Sequence, residues 1–542
     1  MSGQMKDVPC GIQCLKHICN NCCTHHHINS KPWYQAGVLL ITFLAYTCYH
    51  LTRKPISVVK NVLNHNCSGI SPPSYIPVND SIHWCDWAPF DTDDAPALFG
   101  LLDSSFLFAY AAAMFVSGII AERVNLRYFL SLGMIASGIS CYLFGIARPY
   151  NVHSLWYFVL VQAIGGVFQT TGWPGVVTVM GNWFGKSKRG FIFGIWNSHT
   201  SLGNILGSLI AAKYVESDWG LSFMVPGAIM GLVGFIVFVF LVPNPTDVGC
   251  SLPNSHVYRK IEASNSSDDD LYADVGDGPH PAGEDRVIYR CVYRDQVAAD
   301  DYNDNLRSES SPMLSGHRRI YSVQSSTQDN AIGFMGAIKI PGVIEYSLCL
   351  FFAKLVSYTF LYWLPLYIAA STTYSTSLSA YLSTLFDVGG IVGAIIAGIF
   401  SDYSGMSALT CAIMFGLTFP ALFIYDYIRN ASLGVNVVLL LIAGLLVNGP
   451  YALITTAVSA ELGTHPSLGD NSKALATVAA IIDGTGSIGA AMGPLLAGMV
   501  SRWAGWHSVF YMLMGADLLA LLLLSRLVYR ELKLYAQRRR VL

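Results

Sequence analysis

The sequence predicts an all-α polytopic membrane protein, with twelve transmembrane helices in two six-helix bundles. Three observations carry that reading. Of 542 residues, 53% are hydrophobic and only 12% charged, against about 25% charged in ordinary soluble domains. Apolar segments recur six times, pause over a long polar stretch, and recur six times more. Matching glycine and tryptophan motifs appear in both sets at nearly constant offset. A net charge of −2 points to no nucleic-acid partner.

Residues 1–32 form a polar tail rich in Cys and His and do not read as a cleavable signal peptide. Cys10, Cys14, Cys19, Cys22 and Cys23 fall there, followed by His25, His26 and His27. The spacing admits zinc ligation, acylation of juxtamembrane cysteines or an inert tail. No metal site is assigned, and no cofactor is expected.

Residues 33–243 make the N-terminal bundle, with apolar segments at 36–63, 97–121, 127–148, 154–180, 190–213 and 220–243. Residues 339–530 make the second, at 342–369, 378–401, 407–427, 434–460, 472–500 and 506–529. Each is long enough for a bilayer, which needs about 20 apolar residues. Residues 244–338 between them read as a disordered cytoplasmic linker, with few apolar anchors. Ser266 and Ser267 precede three Asp, which suits a kinase acting on this loop; a plain solvated linker is the simpler reading. Residues 531–542 form a basic tail.

Lys and Arg in short loops set orientation. Arg123, Arg127, Lys186, Lys188 and Arg189 share one side with the basic C-terminal tail, so both termini should be cytoplasmic. The opposite side carries the sequons at Asn66, Asn79 and Asn430, each an acceptor for N-linked glycan. Cys67 and Cys85 share the first of those loops and would pair in an oxidising lumen. Arg539-Arg540 resembles a dibasic retrieval signal, which favours the endoplasmic reticulum over other membranes.

The first span carries two adjacent cations, Arg53 and Lys54. A charge at a helix centre costs at least ~2.5 kcal/mol, so such residues usually line a cavity. Either both side chains snorkel to the headgroups, or Arg53 faces a central pathway and holds an anion. Guanidinium suits phosphate through paired, charge-assisted bonds.

The halves repeat. Gly203 and Gly207 in span five match Gly489 and Gly493 in span eleven, both offset by 286 (489 − 203, 493 − 207). Gly118 to Glu122 after span two matches Gly398 to Asp402 after span eight, and Trp219 matches Trp506. Bundles repeated in this way place a substrate site between them at the midplane.

At these residues the chain resembles the major facilitator superfamily. Gly118-x-x-x-Glu122-Arg123-x-Asn125-x-Arg127 is similar to its gating-loop signature, with Glu for Asp and Asn for the second Gly. Asp402 sits at the corresponding place in the second half. Within the superfamily the chain resembles the organophosphate:phosphate antiporters, and among them the eukaryotic sugar-phosphate exchangers. Tyr49-x-x-x-Arg53-Lys54, Gly172-Trp173-Pro174, Asn182-Trp183-Phe184-x-Lys186-x-Lys188-Arg189, Gly194-Ile-Trp196-Asn197, Lys354 and Trp363-Leu-Pro365 carry the likeness. The resemblance implies that Arg53 holds the substrate phosphoryl group. The second cation of the family falls on Ser357 here, with Lys354 about one turn earlier. Its span-five His falls on Thr200, with His199 as neighbour.

The resemblance implies antiport of a glucose-6-phosphate-like sugar phosphate against inorganic phosphate, in a lipid bilayer, without metal or nucleotide. Arg53 and Lys54 or Lys354 would supply charge; Tyr49, Tyr358, Trp363, Gln169 and His199 would contact the rest of the substrate. Lys354 would otherwise pair with Glu345 or Asp387. Facing cations without an anion would repel, which would make exchange obligatory. Competing readings are a proton-coupled organic-anion symporter using Asp103, Asp387 or His199, and a non-transporting sensor or scaffold built on the 244–338 loop. No nucleophile elbow, phosphate loop or metalloprotease helix motif is present, so an enzyme is not expected.

Overall fold

The computed structural model describes residues 7–22, 31–64, 86–92, 94–184, 195–250, 334–428, 432–463 and 474–541. The sequons at Asn66, Asn79 and Asn430, the Cys67 and Cys85 pair, His25 to His27 and most of the central loop lie outside them.

Helices trace all twelve expected passages. Span one runs Lys31–Arg53, breaks at Lys54, and resumes as Pro55–Leu63. Pro55 has no amide hydrogen and crowds the preceding turn, so the hydrogen-bonding breaks at the cation pair. Spans two and three are Ala95–Ala121 and Leu126–Ile146. Span four divides into Leu155–Gln169 and Gly172–Trp183, again just ahead of a proline, Pro174. Spans five and six are Ser198–Tyr214 and Leu221–Phe240.

In the second half, spans seven to nine are Val343–Ser371, Thr376–Ser404 and Ser407–Tyr427. Span ten is Leu433–Leu453, passing through a π turn at Ile454–Val458 into Ser459–Leu462. Spans eleven and twelve share Ala474–Val541, parted at Gly505, where φ is 75°. That backbone conformation suits glycine.

Among the described residues, eight helices are long and apolar enough to cross a membrane, the last of them long enough for two passages. Spans one, four and five are absent from that set. The first helix of span one has 23 residues but is polar at both ends, span four is divided into two short helices, and the fifth has 17 residues with several polar ones.

Side chains are distributed inside out. Leu40, Leu132, Leu232 and Phe400 are exposed on outer faces, while Arg53, Lys54, Lys60, Asp103, Lys354, Asp387 and Asp483 are buried. Exposed apolar belts around a polar centre belong to a protein whose surrounding solvent is lipid.

The repeat is visible in the packing. A methyl group added at Gly203 would run into the Thr47 carbonyl, and one at Gly207 into the Leu51 carbonyl. At Gly489 and Gly493 the obstacles are the carbonyls of Phe351 and Leu355. Span five therefore lies on span one as span eleven lies on span seven. Small residues permit such close approach. In that register Arg53 falls on Ser357, and His50 falls on Lys354.

Structure extends into the polar regions at each edge. A helix at Cys10–Cys22 packs near Val239 and Phe240 at the end of span six. A 3-10 turn at Pro245–Val248 and a short helix at Phe334–Ile338 lie inside the ends of the 244–338 stretch. Val248 and Ala337 are buried, so apolar contacts anchor both ends. Across residues 531–541 the final helix continues.

Candidate functional site

Among the described residues, four buried cations lie along the contact between the halves, and three have an acidic partner. Lys60 Nζ lies 2.5 Å from Asp103 Oδ2 and donates to the Tyr362 carbonyl at 3.2 Å. Lys354 Nζ lies 2.6 Å from Asp483 Oδ1 and 3.3 Å from Ser487 Oγ. Lys54 Nζ sits 4.0 Å from Asp387 Oδ2 and donates to the Leu361 carbonyl at 3.0 Å.

Arg53 differs. Its Nε donates to Gln169 Oε1 at 2.6 Å and its Nη1 to the Tyr358 hydroxyl at 3.2 Å. The guanidinium lies 4.8 Å from the Tyr110 ring centre and 5.6 Å from that of Phe106. Its Nη2 is buried with no hydrogen-bond partner among the described residues, and no carboxylate there forms an ion pair with it. Stacking and two neutral acceptors compensate a buried guanidinium only in part. The arrangement is suited to accept an anion.

The break in span one sets this geometry. Arg53 ends the first helix and points to spans two and four; Lys54, next along the chain, turns toward span seven. Gln169 is held by a bond from its Nε2 to Thr52 Oγ1 at 3.0 Å, and it ends the first helix of span four. Tyr358 comes from span seven. One guanidinium thus touches both halves.

Several expected residues lie elsewhere. The Tyr49 hydroxyl lies 3.0 Å from Thr171 Oγ1, and Gly172 fits beneath its ring. Trp363 packs on Trp506, with the Lys60 ammonium 4.5 Å from its ring centre. His199 is enclosed by Trp196, Tyr46 and Phe43, with Nδ1 3.2 Å from Thr200 Oγ1. The partner expected for Lys354 is also corrected. Glu345 bonds Arg526 at 3.1 Å and Asp387 faces Lys54, so Asp483 takes that role. The three buried lysines are each paired with an aspartate, and Arg53 has no carboxylate partner among the described residues.

The gating-loop residues separate too. Glu122 Oε1 accepts from the Thr477 amide at 3.2 Å and its hydroxyl at 2.6 Å, bridging the halves at the start of span eleven. Arg127 Nη2 donates to Asp7 Oδ1 at 2.7 Å, and Asn125 also bonds Asp7. Arg123 and Asp402 are exposed.

Sequence reasoning missed Tyr110, Asp483, His50, Asn204 and the Lys60 pair. The Tyr110 hydroxyl donates to Asp483 Oδ2 at 3.1 Å across the halves. A signal was available, because intramembrane ionisable residues pair with one another and each buried Lys has an Asp on another span.

Comparison with known proteins agrees with the fold. The profile described as Major Facilitator Superfamily matches residues 42–467 and, in a second match, 346–539. The glucose-6-phosphate exchanger SLC37A2 of Bos taurus is 53% identical over 502 residues, covering 92% of this chain and 95% of that protein. SLC37A2 of Homo sapiens is 52% identical over 507 residues, covering 92% and 93%. The glucose-6-phosphate exchanger SLC37A1 of Mus musculus is 48% identical over 525 residues, covering 92% and 94%. The chain belongs to the major facilitator superfamily and, within it, to the organophosphate:phosphate antiporter family.

Proposed function

We propose that this protein exchanges a phosphorylated hexose, of the glucose 6-phosphate kind, for inorganic phosphate by alternating access. The observation that carries the reading is Arg53: buried, without a carboxylate partner among the described residues, and in contact with both halves. The names of relatives at about half identity support the sugar-phosphate class.

A phosphomonoester carries about −1.5 to −2 charge near pH 7. Arg53 would hold it through its unpartnered Nη2 and the neighbouring Nη1. The anion would replace the weaker contact to Tyr358 with a charge-assisted one. Because Tyr358 belongs to span seven, the same event changes a bond between the halves. Lys354 and Lys60, each already held by an Asp, act as fixed parts of the frame.

The Lys and Arg bias supports cytoplasmic termini, and the dibasic Arg539-Arg540 supports the endoplasmic reticulum. Glycan on Asn66 or Asn79 and phosphorylation of Ser266 or Ser267 belong to the same orientation. An antiporter needs no catalytic group.

Proteoliposomes test this directly. Those loaded with inorganic phosphate should take up labelled glucose 6-phosphate, whereas unloaded ones should not. Equal uptake by both, following an imposed proton gradient, would identify a symporter instead.

A further inference from the structure

Beside Arg53, a small, water-sized cavity lies between the halves, walled by spans one, five, seven, eight and ten. Tyr358, the hydroxyl that accepts from Arg53, forms part of its lining. Several other polar lining groups are tied in two sets. Asn204 Nδ2 donates to Asp387 Oδ1 at 2.8 Å, and Asn204 Oδ1 lies 3.2 Å from His50 Nδ1. Ser357 Oγ donates to Asn448 Oδ1 at 2.7 Å.

One strong acceptor is left over. Asp387 is only 3% exposed, and its Oδ2 has no hydrogen-bond partner among the described residues. Lys54 is its counter-ion at 4.0 Å, yet that ammonium donates to the Leu361 carbonyl. The cavity lining contains Asp387 and not Lys54. Asp387, rather than its counter-ion, therefore forms part of the cavity wall.

We propose that this cavity is the subsite for the uncharged, hydroxyl-bearing end of the substrate, and that Asp387 rejects substrates carrying a second anionic group at that end. The proposal rests on the reading that Arg53 holds the phosphoryl group. An ionised carboxylate only accepts hydrogen bonds, so it takes hydroxyl donors well and through strong, charge-assisted bonds. A substrate carboxylate or second phosphate would stand like charge against like charge where water does not screen it. Asn448 and the Asn204–His50 pair offer both donors and acceptors to the remaining hydroxyls. Arg53 and Asp387 together also orient the ligand, with its phosphoryl end toward one and its polyol end toward the other.

The test compares two ligands of equal carbon count. In 6-phosphogluconate the end remote from the phosphate is a carboxylate; in glucose 6-phosphate it is uncharged. In phosphate-loaded proteoliposomes the wild type should favour glucose 6-phosphate by at least tenfold. Asp387→Asn, which preserves shape, should shrink that preference about tenfold. Thermal stabilisation of the purified protein by each ligand gives the same comparison without transport.

Equal use of both ligands by the wild type, or an unchanged preference in Asp387→Asn, would overturn the proposal. Should Asp387→Asn not fold, Asn448→Ala decides: glucose 6-phosphate should weaken about tenfold relative to inorganic phosphate, and an unchanged ratio overturns the subsite. Stabilisation that shifts as expected, without any exchange of phosphate, would remove the antiport reading and leave the subsite standing.

Discussion

Lys354 and Asp483 approach to 2.6 Å within the second half, and Asp483 also accepts the Tyr110 hydroxyl from the first. Tyr110 in turn stacks on Arg53. The pair therefore supports the candidate anion site from behind.

Removing one member of a buried pair strands the other charge, at a cost of about 3–5 kcal/mol, while replacing both is close to neutral. Lys354→Ala alone should sharply lower yield and thermal stability. Lys354→Ala with Asp483→Asn should recover most of both. Rescue through Glu345 or Asp387 instead would contradict the observed pairing, and size-exclusion profiles with thermal melts would show it.

The glycine repeat gives a packing prediction. Gly489→Ala puts a methyl group against the Phe351 backbone, which cannot move as a side chain can. Gly231→Ala meets nothing within 4 Å. We expect the first to abolish recovery of folded protein and the second to behave as wild type. Equal recovery of the two would refute the close contact of spans eleven and seven.

The frame was legible because its causes are local. Long apolar runs and the prolines at 55 and 174 each act within a few residues, and the glycines at 203 and 489 show as a repeated motif. Of the residues proposed for the candidate site, Gln169 and Tyr358 are the ones placed on Arg53. Tyr49 lies in the right stretch, but successive helical residues point about 100° apart, and its ring turns to Thr171. His199 and Trp363 likewise turn to other neighbours, Trp196 and Trp506. Asp483 was missed because a lone Asp in a glycine-rich span shows its purpose only beside Lys354, 129 residues away.

Glu122 supplies a prediction about the gate. Its carboxylate accepts the Thr477 amide near the start of span eleven, where negative charge is favoured by the helix dipole. Glu122→Ala should fold and bind substrate but exchange it several-fold more slowly. Glu122→Gln keeps an acceptor and should be intermediate. Unchanged initial rates in both would show that this bridge between the halves does not take part in the cycle.

The central claim is that Arg53 holds the phosphoryl group. Hydrogen bonds to charged groups contribute ~1.5–3 kcal/mol each, and 1.4 kcal/mol is a factor of ten. Arg53→Lys keeps the charge but loses the planar fork, so its phosphate affinity should fall at least tenfold, and Arg53→Ala should fall further. The most direct measurement is exchange of labelled inorganic phosphate by Arg53→Lys and Arg53→Ala in proteoliposomes holding matched amounts of folded protein. We predict severe loss in both; near-normal exchange by Arg53→Ala would contradict the site.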